Sequence, residues 1–251
     1  MIQSNLMSTM KSEFVETATK RFISSKVFPV FDRDIADGKA TEFKPLLQPM
    51  GFNIVLQASY GKELESLDGG LWAKWDTMNA EVMHNRLVTF IPIMVFGPTS
   101  KISIAFQRML TGSDWISDRD RQIDFAETLE NAKDVDVEKD EHVRLYSDFL
   151  DDYLKMENGS YTKRHLHGDM MLMFAAAIDT TYSALSFALL ELAKDAELQQ
   201  ELHEEVVAAF GDDVEGIKLK GGITKIPKLR AFIQLTCPHS FRPSFACPLS
   251  R

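Results

Sequence analysis

Cysteine is nearly absent from this chain of 251 residues, and the only two, Cys237 and Cys247, lie close to its C-terminus. A secreted domain held together by disulfides uses more cysteines, so this usage favours a reducing, intracellular compartment. Clusters of lysine and arginine are also absent, and the formal net charge is -9. Nucleic acid is therefore excluded as a partner, because phosphate contacts need clustered positive charge. Anionic membrane surfaces are disfavoured for the same reason.

Several local signals are missing as well. Residues 1–12 lack the basic-then-apolar pattern of a signal peptide and form no anchor helix, so we expect a soluble or peripheral protein. There is no glycine-rich phosphate loop, serine nucleophile elbow or Cys/His nucleophile pair. What the chain does have is 45% hydrophobic residues, enough for one large or two small domains with a substantial core.

Apolar residues recur at helical spacing along much of the chain. They predict helices over residues 12–35, 41–60, 71–86, 166–194 and 195–210. Gly38, Gly61 and Gly211 are placed to end three of them, and Pro49 predicts a kink or a delayed helix start. Charged residues are dense over 113–152, which is typical of solvated helix faces.

An apolar run bounded by prolines occupies residues 90–98. It has two interpretations, a buried core segment or an exposed lid that contacts substrate or membrane. The sequence leaves both open.

Asp179 is the only charged residue between Met170 and Leu190, in the middle of the longest predicted helix. The stretch is long enough to cross a membrane, but a central carboxylate argues against that. A buried carboxylate is costly unless it is paired, so Asp179, followed by Thr180 and Thr181, predicts a polar notch in an apolar helix.

The notch has room for a small ligand. The Thr180 hydroxyl is placed to donate to the carbonyl of Ala176, which opens a helix locally, and Ala177 keeps the neighbouring position small. Such a site can hold a small polar molecule and exchange protons with it. The alternative is that Asp179 forms a buried ion pair with a lysine or arginine, and that the threonines are only core hydroxyls.

The residues Ala176-Ala177-Ile178-Asp179-Thr180-Thr181 resemble the distal oxygen-binding helix of the cytochrome P-450 heme-thiolate monooxygenases. The pattern there is (Ala/Gly)-Gly-x-(Asp/Glu)-Thr-(Thr/Ser), and Ala177 stands where the family usually has glycine. Residues 195–206 resemble the next helix of the family, and residues 226–234 resemble the approach to its Glu-x-x-Arg helix. Residues 43–61 are similar to an earlier helix, so the resemblance covers roughly 12–234.

The resemblance implies a mainly α, partial cytochrome P-450 fold built around the long distal helix, with most of the sheet and the proximal heme site missing. Residues 1–234 would form the partial domain. Residues 235–251 are an aberrant tail, which contains three of the nine prolines and no Asp, Glu or Lys.

The resemblance also implies roles for individual residues. Thr180 would hydrogen-bond the bound oxygen and Asp179 would help to relay protons, so these two are the catalytic candidates. Ala176, Ala177 and Thr181 would line the distal heme and oxygen pocket, and Met173 would face the substrate. The two alanines and Met173 are equally explained as core residues of a helix.

The partners that the resemblance implies are an apolar small-molecule substrate, dioxygen and an electron-donating reductase, with heme as the cofactor. Many members of the family are bound to the endoplasmic reticulum, although residues 1–12 here provide no anchor.

Two family motifs are not matched. Leu235 and Pro238 stand where the family spacing places the Glu and Arg of Glu-x-x-Arg. Neither Cys237 nor Cys247 lies in the pattern Phe-x-x-Gly-x-Arg-x-Cys-x-Gly that supplies the iron ligand. We therefore expect the chain to bind no heme by itself and to be inactive in monooxygenation. The alternatives are a non-catalytic helical module that binds or interferes with a partner, or an unstable fragment.

Three other groups of residues have weaker metal-site patterns. Glu81 and His84 have the spacing of a di-iron helix, but such sites need a second copy of the motif. His165 and His167 flank one leucine, whereas zinc needs three or four ligands. Cys237, His239 and Cys247 lie near one another in the tail at a spacing that matches no familiar zinc site.

Overall fold

The computed structural model of the chain describes residues 13–60, 70–131, 162–211 and 222–236. All regular elements in these ranges are helical, and no strand occurs within them, which confirms the predicted mainly α class. A π-helical turn, Ile23–Val27, follows the first helix, and a 3-10 turn, Ile223–Lys225, precedes the last. The α-helices are α1 Glu13–Phe22, α2 Phe28–Ala36, α3 Lys44–Tyr60, α4 Gly70–Val88, α5 Phe90–Phe96, α6 Lys101–Thr111, α7 Trp115–Asn131, α8 Lys163–Lys194, α9 Ala196–Phe210 and α10 Pro227–Thr236.

The chain divides into two compact units. The first contains residues 1–23 and 49–178, and the second contains residues 24–48 and 179–251. The boundaries fall inside α3 and α8, so each of these helices contributes residues to both units. The division into a domain over 1–234 and a tail over 235–251 stays a prediction, because the tail after residue 236 lies outside the described residues.

Helix ends lie where the sequence places a glycine or a capping side chain. Gly38 follows α2 with φ of +63°, a conformation that suits glycine, and the Lys39 amide donates to the Asp34 carbonyl at 2.8 Å. Before α9, the Asp195 carboxylate accepts a hydrogen bond from the Leu198 amide at 2.9 Å, as an N-cap does. Gly211 ends α9. The ends at Gly38 and Gly211 confirm the sequence predictions, whereas Gly61 lies outside the described residues.

The core of the first unit is built on aromatic side chains from three helices. Phe52 of α3, Trp75 of α4 and Phe174 of α8 are fully buried. The ring centroid of Phe52 lies 5.1 Å from that of Phe174 and 5.9 Å from that of Trp75, distances at which aromatic pairs attract each other. The other core residues are Val55, Leu56, Tyr60, Leu71, Met78, Val82, Phe125, Ala126, Leu129, Leu166, Met170, Met171 and Ile178.

Gly51 allows α3 to approach the backbone of α8 within this unit. A Cβ atom at Gly51 would lie 3.4 Å from the Cα of Ile178. The two helices are therefore in close contact at this point, beside the Phe52 and Phe174 rings.

The second unit contains a contact between α9 and the start of α10. The Glu205 carboxylate of α9 accepts hydrogen bonds from the backbone amides of Lys228 and Leu229, at 2.8 and 2.9 Å. These amides belong to the first turn of α10, where donors lack an intrahelical partner. The Lys228 ammonium also pairs with Glu201 at 2.8 Å. Glu205 and Glu201 thus fix the position of α10 against α9.

The apolar run at residues 90–98 forms the short helix α5, which contains no buried residue. Its apolar side chains point largely to solvent, with Ile91 exposed by 72%. The interpretation of this run as a core segment is therefore wrong, and the exposed interpretation agrees with the structure. The rings of Phe96 and Phe106 stack with centroids 6.4 Å apart, so α6 extends the same exposed apolar surface.

The charged segment 113–152 is less solvated than predicted in its described part. Asp114 and Asp118 are buried because both carboxylates accept local hydrogen bonds. Asp114 accepts from the Ile116 amide at 2.9 Å and the Arg108 guanidinium at 2.7 Å. Asp118 accepts from the Ser113 hydroxyl at 2.7 Å. Polar groups here are satisfied inside the protein rather than by water.

By length and composition alone, α8 is one helix in the described part of the chain that could cross a membrane. A core helix of a soluble protein passes the same test. In the N-terminal half of α8, Leu166, Met170, Phe174 and Ile178 are buried in the first unit, whereas only 11% of the apolar window of this helix is buried.

Leucines at two positions of α8 provide a matched test of this packing. Leu166 is 1% exposed and Leu172 is 65% exposed. Leu166→Ala should lower the free energy of unfolding by about 2–5 kcal/mol, the usual cost of removing a buried leucine. Leu172→Ala should change it by less than about 0.5 kcal/mol. Urea unfolding followed by circular dichroism measures both, and equal losses would contradict the assigned orientation of α8.

Candidate functional site

The candidate site residues lie on successive turns of α8. In the first unit, Met173 and Ala177 are partly buried against the core, and Ala176 is exposed. Positions 173, 176 and 177 are three and four residues apart, so they share one face of a helix. The packing of Met173 and Ala177 agrees with the interpretation of these residues as core, and Ala176 adds a small, accessible surface beside them.

In the second unit, Asp179 and Thr180 are exposed and Thr181 is partly buried. The Asp179 carboxylate accepts a hydrogen bond from the Gln48 side-chain amide at 3.3 Å. The prediction that Asp179 is a buried charge is therefore wrong. The recorded partner is a neutral amide, so the alternative of a buried ion pair is also not what the described residues show. At the surface, water solvates the carboxylate and no charged partner is required.

A cavity of about 530 Å³ lies within the first unit, among the end of α4, the start of α7 and the first turns of α8. This volume is within the range of small-molecule pockets, roughly 300–1,000 Å³. The apolar lining consists of Trp115, Ile123, Met171, Leu172 and Ala175. Arg86, Arg119 and Arg164 add positive charge to the wall.

Arg86 has an unusual environment for an arginine. Its guanidinium carbon lies 4.5 Å from the centre of the Trp115 ring, a cation–π distance. One terminal nitrogen donates to the Gln122 side-chain oxygen at 3.3 Å, whereas the buried Nε atom has no hydrogen-bond partner. Burial lowers the pKa of Arg86, and the negative charge of Asp118 opposes that shift.

A partly buried ionic cluster joins α7 to the start of α8. The Glu130 carboxylate lies 2.8 Å from the Lys163 ammonium and 2.9 Å from His167 Nε2, and His167 is buried. Burial acts to raise the pKa of Glu130, but hydrogen bonds from Lys163 and His167 outweigh it and hold that pKa below its usual value. Burial also raises the pKa of the neighbouring Tyr60 well above its usual value, and the charge of Glu130 adds to the rise.

The weaker metal patterns are not assembled in the structure. No group of three or more potential ligands occurs among residues 13–60, 70–131, 162–211 and 222–236. His167 pairs with Glu130, the imidazole of His165 pairs with Thr162 at 2.8 Å, and Glu81 pairs with Arg121. Cys237, His239 and Cys247 lie outside the described residues.

Three features of the site were missed by sequence reasoning. Gln48 is 131 residues away from its partner Asp179, and no local pattern links them. Arg86 and Trp115 meet only because α4 packs on α7. His167 carried a detectable signal, because it falls at helical spacing from Met170, Met171 and Phe174, so its position on the buried face was predictable.

Comparison with known proteins agrees with the resemblance to the cytochrome P-450 family. The sequence profile of the cytochrome P-450 family matches residues 6–234. Cytochrome P-450 6l1 of Blattella germanica is 32% identical over 131 residues, which cover 46% of this chain and 26% of that protein. The mitochondrial sterol 26-hydroxylase of Homo sapiens is 40% identical over 52 residues, which cover 21% of this chain and 10% of that protein. The chain therefore spans about a quarter or less of the curated relatives it matches.

Glu130 makes the stability of the first unit dependent on acid pH. A carboxyl group whose pKa is lowered by folding stabilises the protein above its unfolded-state pKa, about 4.3 for glutamate, and that contribution is lost as the pH falls through the folded-state value. Glu130→Gln should cost about 1–3 kcal/mol at pH 7, because charged hydrogen bonds are lost.

The deficit of Glu130→Gln should shrink as the pH falls below the unfolded-state pKa of glutamate, about 4.3, and should vanish as the pH passes the lower folded-state pKa of Glu130. Urea unfolding at a series of pH values measures it. Glu127→Gln, an exposed position of the same helix, is the control and should show no such trend. A deficit that is constant from pH 7 to pH 3 would refute the assigned role of Glu130.

Proposed function

Because the chain belongs to the cytochrome P-450 family, we propose that it represents the oxygen-side portion of a heme-dependent monooxygenase that oxidises an apolar small molecule. Dioxygen and electrons from a reductase would be the co-substrates. We further propose that these 251 residues do not perform this oxidation alone. Asp179 and Thr180 are the proposed catalytic residues.

The observation that carries this proposal is the placement of Asp179 and Thr180 on α8. Both side chains are exposed in the second unit, so solvent reaches a carboxylate and a hydroxyl at adjacent positions, groups of the kind that exchange protons with a bound molecule. The Gln48 amide donates to the Asp179 carboxylate and so orients it. Thr181 is partly buried, and we propose that it lines the distal pocket beside Thr180.

The smaller residues of the same helix support the proposed distal pocket. Ala176 is exposed, and an alanine surface leaves room for a flat ring. Met173 is proposed to contact the substrate, and its partial burial against the core would limit its movement.

The residues present do not fit the iron of a thiolate-bound heme. Such an iron needs a cysteine ligand, and the chain has none outside Cys237 and Cys247. Neither of these lies in a sequence like that of the family ligand. We therefore derive no reaction step through heme in this chain.

Heme titration tests the proposed lack of activity. The purified chain, mixed with hemin, reduced and exposed to carbon monoxide, should lack the red-shifted Soret band of a thiolate-ligated heme. The double variant Cys237→Ser, Cys247→Ser should give the same spectrum as the unchanged chain. A red-shifted band that disappears in the double variant would show that a tail cysteine does bind the iron, and the proposal would fail.

The exposed apolar surface of α5 and α6 favours a second candidate function, that of a non-catalytic binding module. Ile91, Met94 and Val95 of α5 and Met109 of α6 are each largely exposed. Contiguous apolar surface of this kind is uncommon on monomeric soluble proteins. A module of this kind would act by association through α5, without any chemical step.

Association is measurable by light scattering across a range of protein concentrations. The unchanged chain should bind an apolar fluorescent dye and increase in mass with concentration. The double variant Ile91→Lys, Met94→Lys should reduce both effects. Ile35→Lys, an exposed apolar position on α2, is the control and should reduce neither. A monodisperse monomer with a sharp unfolding transition would exclude this second function.

A further inference from the structure

Ser24 lies exposed in the π-helical turn Ile23–Val27, and basic residues precede it. Arg21 stands three positions before Ser24, and Lys20 stands four positions before it. We propose that Ser24 is a phosphorylation site for a protein kinase that selects an arginine three residues before its target. The motif is contiguous in sequence, so its recognition depends on the local chain alone, and it does not depend on heme or on oxidation.

The charge around Ser24 is opposite in sign to that of the whole chain. Residues 17–31 contain three basic residues and no acidic one, although the formal net charge of the chain is -9. Kinases of the basophilic class select their targets by charge pattern, because acidic groups on the kinase pair with the arginine that precedes the acceptor hydroxyl. The stretch around Ser24 therefore has the charge pattern that such a kinase selects.

The structure distinguishes this serine from other hydroxyl residues that have an arginine at the same spacing. Thr89 follows Arg86 in this way, but it is 2% exposed and its hydroxyl donates to a backbone carbonyl at 2.6 Å. Thr111 follows Arg108, but it is partly buried and its hydroxyl donates to a backbone carbonyl at 2.9 Å. Ser147 has the same spacing but lies outside the described residues. Within the described ranges, the serine of the π-helical turn is thus the one exposed hydroxyl with this motif.

The π-helical turn makes Ser24 easier for a kinase to reach. A kinase binds its target segment in an extended form, so a serine within a helical run must first be released by local opening. Pro29 has no backbone N–H and cannot donate to the Ser25 carbonyl, and this weakens the helical run here. A π-helical turn is also a geometry that often marks functional segments. Opening should therefore cost less at Ser24 than in the middle of a regular α-helix.

Phosphoryl transfer to Ser24 needs only ATP as its co-reactant. The Ser24 oxygen attacks the γ-phosphorus of ATP, a new P–O bond forms as the bond to the β-phosphate oxygen breaks, and ADP leaves. The hydroxyl proton passes to the catalytic aspartate of the kinase. The phosphate adds about -1.5 to -2 charges at neutral pH, which offsets much of the local positive charge.

Phosphorylation of the full chain tests the proposal, with radiolabelled ATP and the constitutively active catalytic domain of a calcium/calmodulin-dependent protein kinase. We expect a single phosphate per chain, on the tryptic peptide that spans residues 22–26, and fragmentation in a mass spectrometer should place it on Ser24. Ser24→Ala should abolish the label. Arg21→Gln should lower kcat/KM for the kinase about ten- to a hundredfold, the value of hydrogen bonds to a charged group. Arg21→Lys should lower it less, since it keeps the charge but not the paired donors.

Arg33→Gln is the matched control, because Arg33 is an exposed arginine of α2 that pairs with the adjacent Asp34 and lies beyond the motif. It should be phosphorylated like the unchanged chain, and so should Ser25→Ala. Circular dichroism should show the same helical content in every variant. No label on the unchanged chain, a label mainly on another residue, or equal rates for Arg21→Gln and Arg33→Gln would each overturn the proposal. None of these results bears on the heme titration, so the two proposals fail separately.

Discussion

The close approach of α3 to the N-terminal half of α8 is the constraint on which the first unit depends. Gly51 lies against the α8 backbone at Ile178, and the ring of the next residue, Phe52, packs on Phe174 with centroids 5.1 Å apart. Trp75 of α4 completes the cluster from the other side. The direction in which α8 faces follows from this packing. Because Phe174 points inward, His167 and Leu166 also face the interior, and Leu172 faces the cavity and solvent.

The position of α7 follows from the same core and sets the two polar sites of the unit. Phe125 and Ala126 of α7 are buried in it, which leaves Glu130 one turn further along, opposite Lys163 and His167. The other end of α7 brings Trp115 beneath Arg86. The C-terminal end of α7 therefore joins an ionic cluster, whereas its N-terminal end packs against an incompletely hydrogen-bonded arginine of α4.

Sequence reasoning succeeded where the determining interactions are local. The ends of α2 and α9 depend on Gly38, Asp195 and Gly211, whose conformational and capping preferences act within a few residues. The long helix α8 was predicted from its apolar content, although it begins at Lys163, a little before the predicted start. Reasoning failed where a distant segment decides the outcome. The exposure of α5 could not be predicted, because an apolar run does not specify whether another helix covers it. The hydrogen-bond partner of Asp179 could not be predicted either, because Gln48 lies on α3.

Asp179 is exposed rather than buried, and this changes the physical reason for assigning it a function. A buried charge would be costly, but an exposed carboxylate beside an amide has no such cost. Asp179 therefore needs no functional explanation on energetic grounds alone. What remains is its position: a carboxylate and a hydroxyl at adjacent residues, within a sequence that a cytochrome P-450 profile matches. Exposure is also what a proton-relaying pair requires, because protons that reach a reaction centre must come from solvent. Burial of polar groups therefore gives no reason to assign a function to Asp179 and Thr180. Their chemistry still does, because a carboxylate and a hydroxyl can exchange protons with a bound molecule.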